Sequence, residues 1–298
     1  MKESIATPGK TKEILQKYNL KLAKGLGQNF LVNRNIINKI ITAAKLKEDD
    51  LVIEIGPGIG ALTQAILNRL TSGRLFAIEK DKRLIEVLAD QFSNNRLELI
   101  NQDVLKIEWR DFLRRWDLKE GEIKVLANLP YYITTPIIMS LLESGVKFSR
   151  LVFMVQKEVA ERMVALPGGK DYGALSIAVQ YYSKAEIIHT VSPAVFIPQP
   201  EVYSTVIALE PYPEPPVKVL KKDFFFKIVR AIFQQRRKNI KNALSKAANI
   251  NLKKERVLES LAELDIDQRI RGEKLTLKQI AELSNLLWKK SGERNEIY

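Results

Sequence analysis

The chain has 298 residues, of which 48 are Lys or Arg and 35 are Asp or Glu, so its formal net charge is +13. That excess favours a polyanionic partner, either nucleic acid or an acidic membrane surface. The absence of cysteine excludes disulfides, cysteine-ligated metals and a cysteine nucleophile, and we expect no metal site. The single histidine, His189, stands in a predicted strand and is assigned a structural role. No run of roughly 18 apolar residues occurs, so we expect no membrane span.

Strand-like and helix-like segments alternate along the first two thirds of the chain. Strands are predicted at 51–56, 74–80, 96–103, 123–130, 150–156, 185–191 and 204–211, and helices at 60–70, 81–92, 135–144, 157–166 and 174–182. The strands are almost wholly apolar, and strands of this kind alternating with helices form a parallel sheet covered on both faces. The pattern therefore predicts an α/β fold.

Four prolines stand within residues 211–218, and we interpret 211–216 as the linker between a domain at 1–210 and a helical domain at 217–298. Helical spacing continues through 224–247, 253–264 and 276–290. Residues 217–298 carry 20 basic and 10 acidic side chains, whereas residues 51–216 carry 18 and 20. This distribution indicates a near-neutral catalytic core beside a part that binds a polyanion.

A glycine-rich loop follows the first apolar strand. Gly56, Gly58 and Ala61 fit the dinucleotide pattern GxGxxG/A, whereas Gly60 completes ExGxGxG, which is more typical of S-adenosylmethionine (SAM) folds. Glu79 ends the second strand, where a carboxylate can accept hydrogen bonds from ribose hydroxyls of either cofactor. The loop alone therefore leaves both cofactors open.

Asp103 follows the third strand and has two interpretations. It can accept a hydrogen bond from an adenine amino group, or it can cap the following turn. The carboxyl ends of parallel strands meet at one edge of a sheet, where open sheets bind ligands. We therefore expect Asp103 to share a crevice with Gly56 and Glu79.

The segment Asn128-Leu129-Pro130-Tyr131 follows the fourth strand. Methyl transfer to an exocyclic amine needs acceptors for the amine hydrogens, because they free the nitrogen lone pair from the ring. The Asn128 side chain offers one acceptor, and Pro130 would hold the backbone so that the Leu129 carbonyl offers a second. Tyr131 offers a ring on which a flipped base can stack. No general base is needed, so positioning and polarity would carry the catalysis.

A basic segment without acidic residues covers 230–246. It can bind RNA phosphates or form a solvated helix face. Its basic residues are Arg230, Arg236, Arg237, Lys238, Lys241 and Lys246.

Several of these blocks, in this order, resemble the rRNA adenine N6,N6-dimethyltransferases, most closely the bacterial branch that acts on small-subunit (16S) rRNA. The similarity extends from about residue 20 to residue 285. The matching blocks are Gly27 to Leu31, Ile53 to Gly60, Glu79, Asp103, Asn128 to Tyr131, Phe196 to Val202 and Phe233 to Lys238.

The resemblance implies a class I SAM-dependent methyltransferase: a Rossmann-like, seven-stranded, mostly parallel sheet with a small all-helical C-terminal domain. It implies that SAM lies beneath Asn29 and Leu31. In this family the loop with Gly56 and Gly58 would approach its methionine part, Glu79 the ribose and Asp103 the adenine.

The resemblance also implies the target site. Asn128 would face both cofactor and target amine, and Tyr131 and Phe196 would sandwich the flipped adenine. Arg236, Arg237 and Lys238 would bind RNA. The implied product is N6,N6-dimethyladenosine at two adjacent adenines in a hairpin near the 3′ end of small-subunit rRNA.

Other hypotheses stay open at this point. They are a large-subunit rRNA methyltransferase of the resistance type, a non-catalytic ribosome-assembly or RNA-binding factor and, more distantly, a dehydrogenase. The blocks at 196–202 and 233–238 argue against the first, and the intact Asn128 to Tyr131 argues against the second. We expect a monomeric cytoplasmic protein whose partner is the immature small ribosomal subunit.

Overall fold

The computed structural model describes residues 3–20, 29–235, 237–247, 250 and 252–291. The chain divides into two units. The first comprises Met1–Ala160 and Lys184–Pro213, and the second comprises Glu161–Ser183 and Glu214–Tyr298. The boundary at Pro213 lies within the predicted linker, whereas residues 161–183 fall outside the predicted second domain and inside the second unit.

The structure describes nine strands, and seven of them form the central sheet in the order β4-β3-β2-β5-β6-β9-β7. Strands β2 to β6 are parallel, and β9 runs antiparallel to β6. The predicted seven-stranded, mostly parallel sheet is thus confirmed. The strands are β1 (Phe30–Leu31), β2 (Leu51–Ile55), β3 (Arg74–Glu79), β4 (Leu97–Asn101), β5 (Ile123–Asn128), β6 (Arg150–Gln156), β7 (Ser183–Val191), β8 (Phe196–Ile197) and β9 (Ser204–Pro211).

Twelve α-helices are described, of which α8 to α12 belong to the second unit. The sequence pattern does not predict α1, α2 or α5, which are short or lie outside the strand–helix alternation. The helices are α1 (Pro8–Lys17), α2 (Arg34–Ala43), α3 (Ala61–Arg69), α4 (Lys82–Gln91), α5 (Trp109–Arg115), α6 (Thr134–Glu143), α7 (Lys157–Val164), α8 (Ala174–Tyr182), α9 (Lys222–Gln234), α10 (Ile240–Ser245), α11 (Lys254–Glu263) and α12 (Leu277–Ser291). None of the described helices is long and apolar enough to cross a membrane.

The register of the central strands aligns their carboxyl ends. Ile55 of β2 pairs with Ile78 of β3 and with Ala127 of β5. Glu79 pairs with Asn101, the last residue of β4. The polar residues that end or follow these strands therefore lie along one edge of the sheet.

A second, two-stranded sheet joins the segment before α2 to the segment before β9. Phe30 pairs with Ile197 and Leu31 with Phe196, in antiparallel orientation. The Val32 nitrogen donates a hydrogen bond of 2.9 Å to the Val195 oxygen. This pairing fixes residues 29–32 although they precede the central sheet in the chain.

The second unit has its own hydrophobic core, and this core explains why residues 161–183 group with the C-terminal helices. Tyr172 and Ile177 are fully buried and pack in one cluster with Phe225 and Ile232 of α9. The Tyr172 hydroxyl donates a hydrogen bond of 3.0 Å to the Leu275 carbonyl. The apolar side of α8 is thus covered by helices distant in sequence.

The continuous helix expected across 224–247 is broken, and the prediction is corrected here. Helix α9 ends at Gln234, and Gln235 leaves the helical region with φ −117° and ψ 51°. Helix α10 then begins after Asn239, whose side chain accepts a hydrogen bond of 3.0 Å from the Asn242 nitrogen. This Asn cap favours a new helix start.

Candidate active site

The glycine-rich loop joins β2 to α3 through left-handed backbone at Gly56, Gly58 and Gly60. At Gly58, φ is +60° and an added Cβ would lie 3.1 Å from the Phe30 ring, so both conformation and space require glycine. The Gly56 nitrogen donates a hydrogen bond of 2.9 Å to the Ile78 oxygen. The loop is therefore held against the end of β3.

Glu79, at the end of β3, binds the loop from the other side. One carboxylate oxygen accepts a hydrogen bond from the Gly58 nitrogen at 3.3 Å, and the other accepts one from the Asp81 nitrogen at 2.9 Å. The side chain is 9% exposed. Burial raises the pKa of Glu79, although these backbone hydrogen bonds oppose the rise.

Glu54 lies on β2, shortly before the first glycine of the loop. It is buried, and its carboxylate accepts a hydrogen bond of 2.7 Å from the Thr63 hydroxyl. Burial raises the pKa of Glu54 to about 8. Glu54 is the first residue of the ExGxGxG pattern, but the pattern assigns it no contact; a carboxyl within the apolar strand LVIEI was the available signal.

Asp103 lies in the cleft and caps the following turn, which is one of its two interpretations, whereas acceptance from an adenine amino group stays a prediction. One oxygen caps the short 3₁₀ turn Val104–Lys106 by accepting from the Leu105 nitrogen at 3.1 Å. The other lies 2.9 Å from the Lys80 ammonium. The hydrogen bond and charge of Lys80 lower the pKa of Asp103, so the carboxylate is ionised at neutral pH.

The Asn-Leu-Pro-Tyr segment turns away from the sheet directly after β5. The Asn128 Nδ2 donates a hydrogen bond of 2.9 Å to the Asn29 carbonyl, so its Oδ1 is the acceptor that remains. The Leu129 nitrogen donates to the Met154 oxygen at 3.1 Å. Pro130 has φ −59° and ψ 132° and precedes the 3₁₀ turn Tyr131–Ile133.

Tyr131 is held at its hydroxyl, 2.7 Å from the Ser204 hydroxyl of β9. The ring is partly buried, and burial raises the pKa of Tyr131. The phenol is therefore neutral at physiological pH and suited to packing against a base.

Ten of the eleven residues predicted for the cofactor and target site line one cleft in the first unit. The cleft also contains residues for which the sequence predicts no contact, notably Glu54, Lys80 and Tyr132. Tyr132 is 54% exposed, and the repeated tyrosine after Pro130 was the available signal. The ten residues are Asn29, Leu31, Gly56, Gly58, Glu79, Asp103, Asn128, Leu129, Pro130 and Tyr131.

Phe196 is the residue that the structure does not bring to this cleft. Its side chain is 3% exposed and belongs to the hydrophobic core of the first unit, beside its strand partner Leu31. Its burial supports a packing role in this structure, and the implied stacking of an adenine between Tyr131 and Phe196 stays a prediction.

The predicted RNA-binding residues lie in the second unit, after α9. Arg237 and Lys238 are exposed in the turn before α10, and the Lys238 nitrogen donates to the Gln235 oxygen at 2.8 Å. Arg236, like Gly27 and Gln28 of the N-terminal block, lies outside the described residues.

A sheet of this order, with a glycine loop after the first central strand and a ligand cleft at its carboxyl edge, defines a class I methyltransferase. Two solved structures share the architecture. A dimethyladenosine transferase from Plasmodium falciparum is 29% identical, with a TM-score of 0.72, over 88% of this chain and 98% of that chain. The 23S rRNA methyltransferase ErmE is 25% identical, with a TM-score of 0.65, over 87% of this chain and 99% of that chain.

The sequence comparisons identify the family. Residues 19–289 match the family described as ribosomal RNA adenine dimethylase. The ribosomal RNA small subunit methyltransferase A of Halothermothrix orenii is 60% identical over 303 residues, covering 100% of both chains. The chain belongs to the ribosomal RNA adenine dimethylase family, and it is a SAM-dependent methyltransferase.

The residues of the cleft fit SAM. The carboxylates of Glu79 and Asp103 are acceptors of the kind that ribose hydroxyls and an adenine amino group require. At Gly56 an added Cβ would meet nothing nearer than the Asn128 carbonyl at 4.0 Å, so the backbone is open to a ligand there. Apolar residues of the lining, such as Ile78 and Val104, would contact the rings of the cofactor.

Proposed function

We propose that this protein converts two adjacent adenines in a 3′-terminal hairpin of small-subunit rRNA to N6,N6-dimethyladenosine. The observation that carries the proposal is the orientation of Asn128, whose Nδ2 is engaged by Asn29 and whose Oδ1 remains to accept. The 60% identity to a small subunit methyltransferase along the whole chain supports the choice of RNA.

The positions of the cofactor-binding residues in the cleft support the roles that the family resemblance implies for them. Gly56 and Gly58 would contact the methionine part of SAM, Glu79 the ribose and Asp103 the adenine. Asn29 and Leu31 would cover the bound SAM, because the pairing of β1 with β8 holds them beside the cleft. When bound, SAM supplies the electrophilic methyl group.

Asn128 and Leu129 would orient the target amine. The Asn128 Oδ1 and the Leu129 carbonyl accept its two hydrogens and draw the nitrogen toward a tetrahedral shape, which exposes its lone pair. Preorganised dipoles of this kind contribute most when they cost no rearrangement during the reaction. The hydrogen bonds from Asn128 to Asn29 and from Leu129 to Met154 provide that preorganisation.

Tyr131 would stack on the flipped adenine. Its hydroxyl contact with Ser204 fixes the ring before the base arrives. Base–aromatic stacking contributes about 1–3 kcal/mol. Phe196 has no part in this proposal, because its ring lies in the core.

Arg237 and Lys238, together with Arg236, would bind rRNA phosphates. Both described residues are exposed, and phosphate contacts from basic side chains dominate the affinity of RNA-binding proteins. The proposal includes an immature small subunit as substrate, a monomeric enzyme and a cytoplasmic location.

The test is incubation with labelled SAM and under-methylated small ribosomal subunits, followed by nucleoside analysis of the RNA. Dimethyladenosine at two adjacent positions is the expected product. Label confined to large-subunit RNA would replace the proposal with the resistance-type activity. RNA and SAM binding without any methylated product would replace it with a non-catalytic assembly factor.

A further inference from the structure

We infer that the second unit contains a binding pocket for one unstacked nucleotide of the substrate RNA, whose base carries an exocyclic amino group. The inference rests on the proposed function, because it takes rRNA as the ligand. The pocket is formed entirely by residues of the second unit: Arg162, Asp171, Gly173, Ala174, Arg230, Phe233 and Gln234.

Three segments form the pocket. Arg162 stands near the end of α7, and Asp171 belongs to the glycine-rich loop before α8. Arg230, Phe233 and Gln234 are spaced i, i+3 and i+4 on α9, so they share one face of that helix. The loop 167–173 thus supplies one wall.

The two arginines are available to a ligand. Both side chains are exposed, and within the described part of the chain neither lies within ion-pair distance of a carboxylate. Other basic residues of the same unit are paired, such as Lys290 with Glu263 at 2.9 Å. Two unpaired guanidinium groups beside one pocket are suited to a phosphate, which they can bind bidentately.

Phe233 provides an apolar wall for a base. Its ring is partly exposed and packs edge-on against Tyr172, with ring centroids 5.7 Å apart and an interplanar angle of 80°. Tyr172 is itself fixed by its hydrogen bond to Leu275. Aromatic side chains held in this way stack on bases that have left a helix, which is the usual mode of recognition of unpaired RNA.

Asp171 distinguishes a nucleotide pocket from a simple phosphate site. A carboxylate repels phosphate, so its presence beside the two arginines would weaken a pure anion site. It accepts hydrogen bonds from the amino groups of guanine, adenine or cytosine, and the Gln234 amide can add another contact. Uracil lacks such an amino group.

The position of the pocket in the chain agrees with this ligand. Gln234 is followed directly by the turn with Arg237 and Lys238, which are exposed. The second unit carries 22 basic and 13 acidic residues, a net charge of +9. An RNA strand bound at this turn would therefore pass Gln234, which lines the pocket.

The test compares two double variants that each remove two positive charges from exposed positions of the second unit. Arg162→Gln/Arg230→Gln alters the pocket, and Lys253→Gln/Lys254→Gln is the control outside it. Affinity for under-methylated small ribosomal subunits is measured at one fixed salt concentration. We expect at least about a tenfold loss for the pocket variant and about two- to threefold for the control. Equal losses overturn the inference.

Asp171→Ala separates the two kinds of ligand, because alanine removes the negative charge together with both acceptor oxygens, whereas asparagine would keep one acceptor. A nucleotide pocket loses affinity for the subunits when the carboxylate is removed, whereas a phosphate site gains affinity. An unchanged or increased affinity therefore overturns the inference. SAM binding by the first unit and the thermal unfolding midpoint of each variant report whether the fold is intact.

Failure of this inference differs from failure of the proposed function. If the wild-type protein forms dimethyladenosine and the two double variants weaken binding equally, only the pocket assignment is lost. If the wild-type protein forms no dimethyladenosine, the proposed function fails whatever the binding comparison gives.

Discussion

Asn128 and Asn29 are 99 residues apart in the chain, and the side-chain amide of the first donates a hydrogen bond of 2.9 Å to the backbone carbonyl of the second. Asn29 immediately precedes β1, which is held by β8. The amide orientation at the end of β5 therefore depends on a segment that folds over the same cleft. The Asn128 acceptor that we propose for the target amine is therefore oriented by a long-range contact.

Asn128→Ala is expected to lower kcat by about 10²–10³-fold, because it removes one preorganised dipole from the reacting amine. Asn128→Asp is expected to lose a similar factor, since a carboxylate cannot donate to the Asn29 carbonyl. Single-turnover methylation of small subunits measures both. Asn38→Ala, at an exposed position of α2, is the control. Substantial activity of Asn128→Asp would contradict the role of this hydrogen bond.

Glu79→Ala is expected to lower SAM affinity by about 10–100-fold. The substitution removes a charged acceptor and releases the Gly58 and Asp81 nitrogens that the carboxylate binds. Glu79→Gln keeps one acceptor oxygen and should lose less. Calorimetric titration with SAM measures the effect, and Glu86→Gln on the exposed side of α4 is the matched control. If control and variant bind SAM equally, Glu79 does not contact the ribose.

Gly60→Ala is expected to lower the free energy of unfolding by about 2–4 kcal/mol, from positive φ and overpacking together. An added Cβ would lie 2.5 Å from the Phe92 ring at φ +90°. Gly121→Ala shares the positive φ, at +85°, but meets nothing within 4 Å, so only about 1–2 kcal/mol is expected. Urea denaturation measures the unfolding free energy of both variants. An equal loss in the two would show that the Phe92 ring moves away from the added Cβ at position 60.

The buried Glu54 carboxyl predicts a dependence of stability on pH. Its pKa rises from 4.5 to about 8 on folding, so the folded state binds more protons between these values. The free energy of unfolding should therefore fall as pH rises from about 4.5 to 8, and burial of Glu79 acts in the same direction.

Glu54→Gln is expected to flatten this dependence, because the amide stays neutral and still accepts the Thr63 hydroxyl. The wild type should lose on the order of a few kcal/mol more than the variant between pH 5 and pH 9. Denaturant unfolding at a series of pH values, without SAM, measures the difference. If the unfolding free energies of wild type and variant change in parallel with pH, folding does not raise the pKa of Glu54.

Arg237→Gln/Lys238→Gln is expected to weaken RNA binding and to make its salt dependence less steep. Each lost phosphate contact lowers the slope of log affinity against log salt by about 0.7–0.9. Lys253→Gln/Lys254→Gln, two exposed lysines of the same unit, provide the control. If both double variants show the same slope of log affinity against log salt, Arg237 and Lys238 do not contact RNA phosphates.

The elements that could be predicted are those whose signal is local. Glycines at 56, 58 and 60 after an apolar strand indicate a ligand loop, and all three have positive φ. The apolar strands predicted at 51–56 and 123–130 indicate a buried parallel sheet, and the parallel register of Leu51–Ile55 with Ile123–Asn128 confirms it. The carboxyl ends of such strands must lie together, so the amino-acid sequence is enough to place Glu79, Asp103 and Asn128 in one cleft.

Other features could not be predicted, because they depend on partners distant in the chain. Helical spacing from 224 to 247 gives no sign of the break after Gln234, which depends on the Asn239 cap and its bridge to Arg271. For Phe196 the sequence leaves stacking and packing both open, because aromatic residues near strand ends often pack, and only the fold shows that the residue is buried in the core.

The sequence by itself determined which chemical groups this protein carries and in what order they end successive strands, because backbone periodicity and turn chemistry are local properties of the chain. Only the tertiary structure decided which of these groups meet. The pairing of β1 with β8 brings Asn29 to Asn128, and the apolar face of α8 draws residues 161–183 to the C-terminal helices. Burying apolar surface depends on the whole fold, so it selects among contacts that a local pattern leaves open.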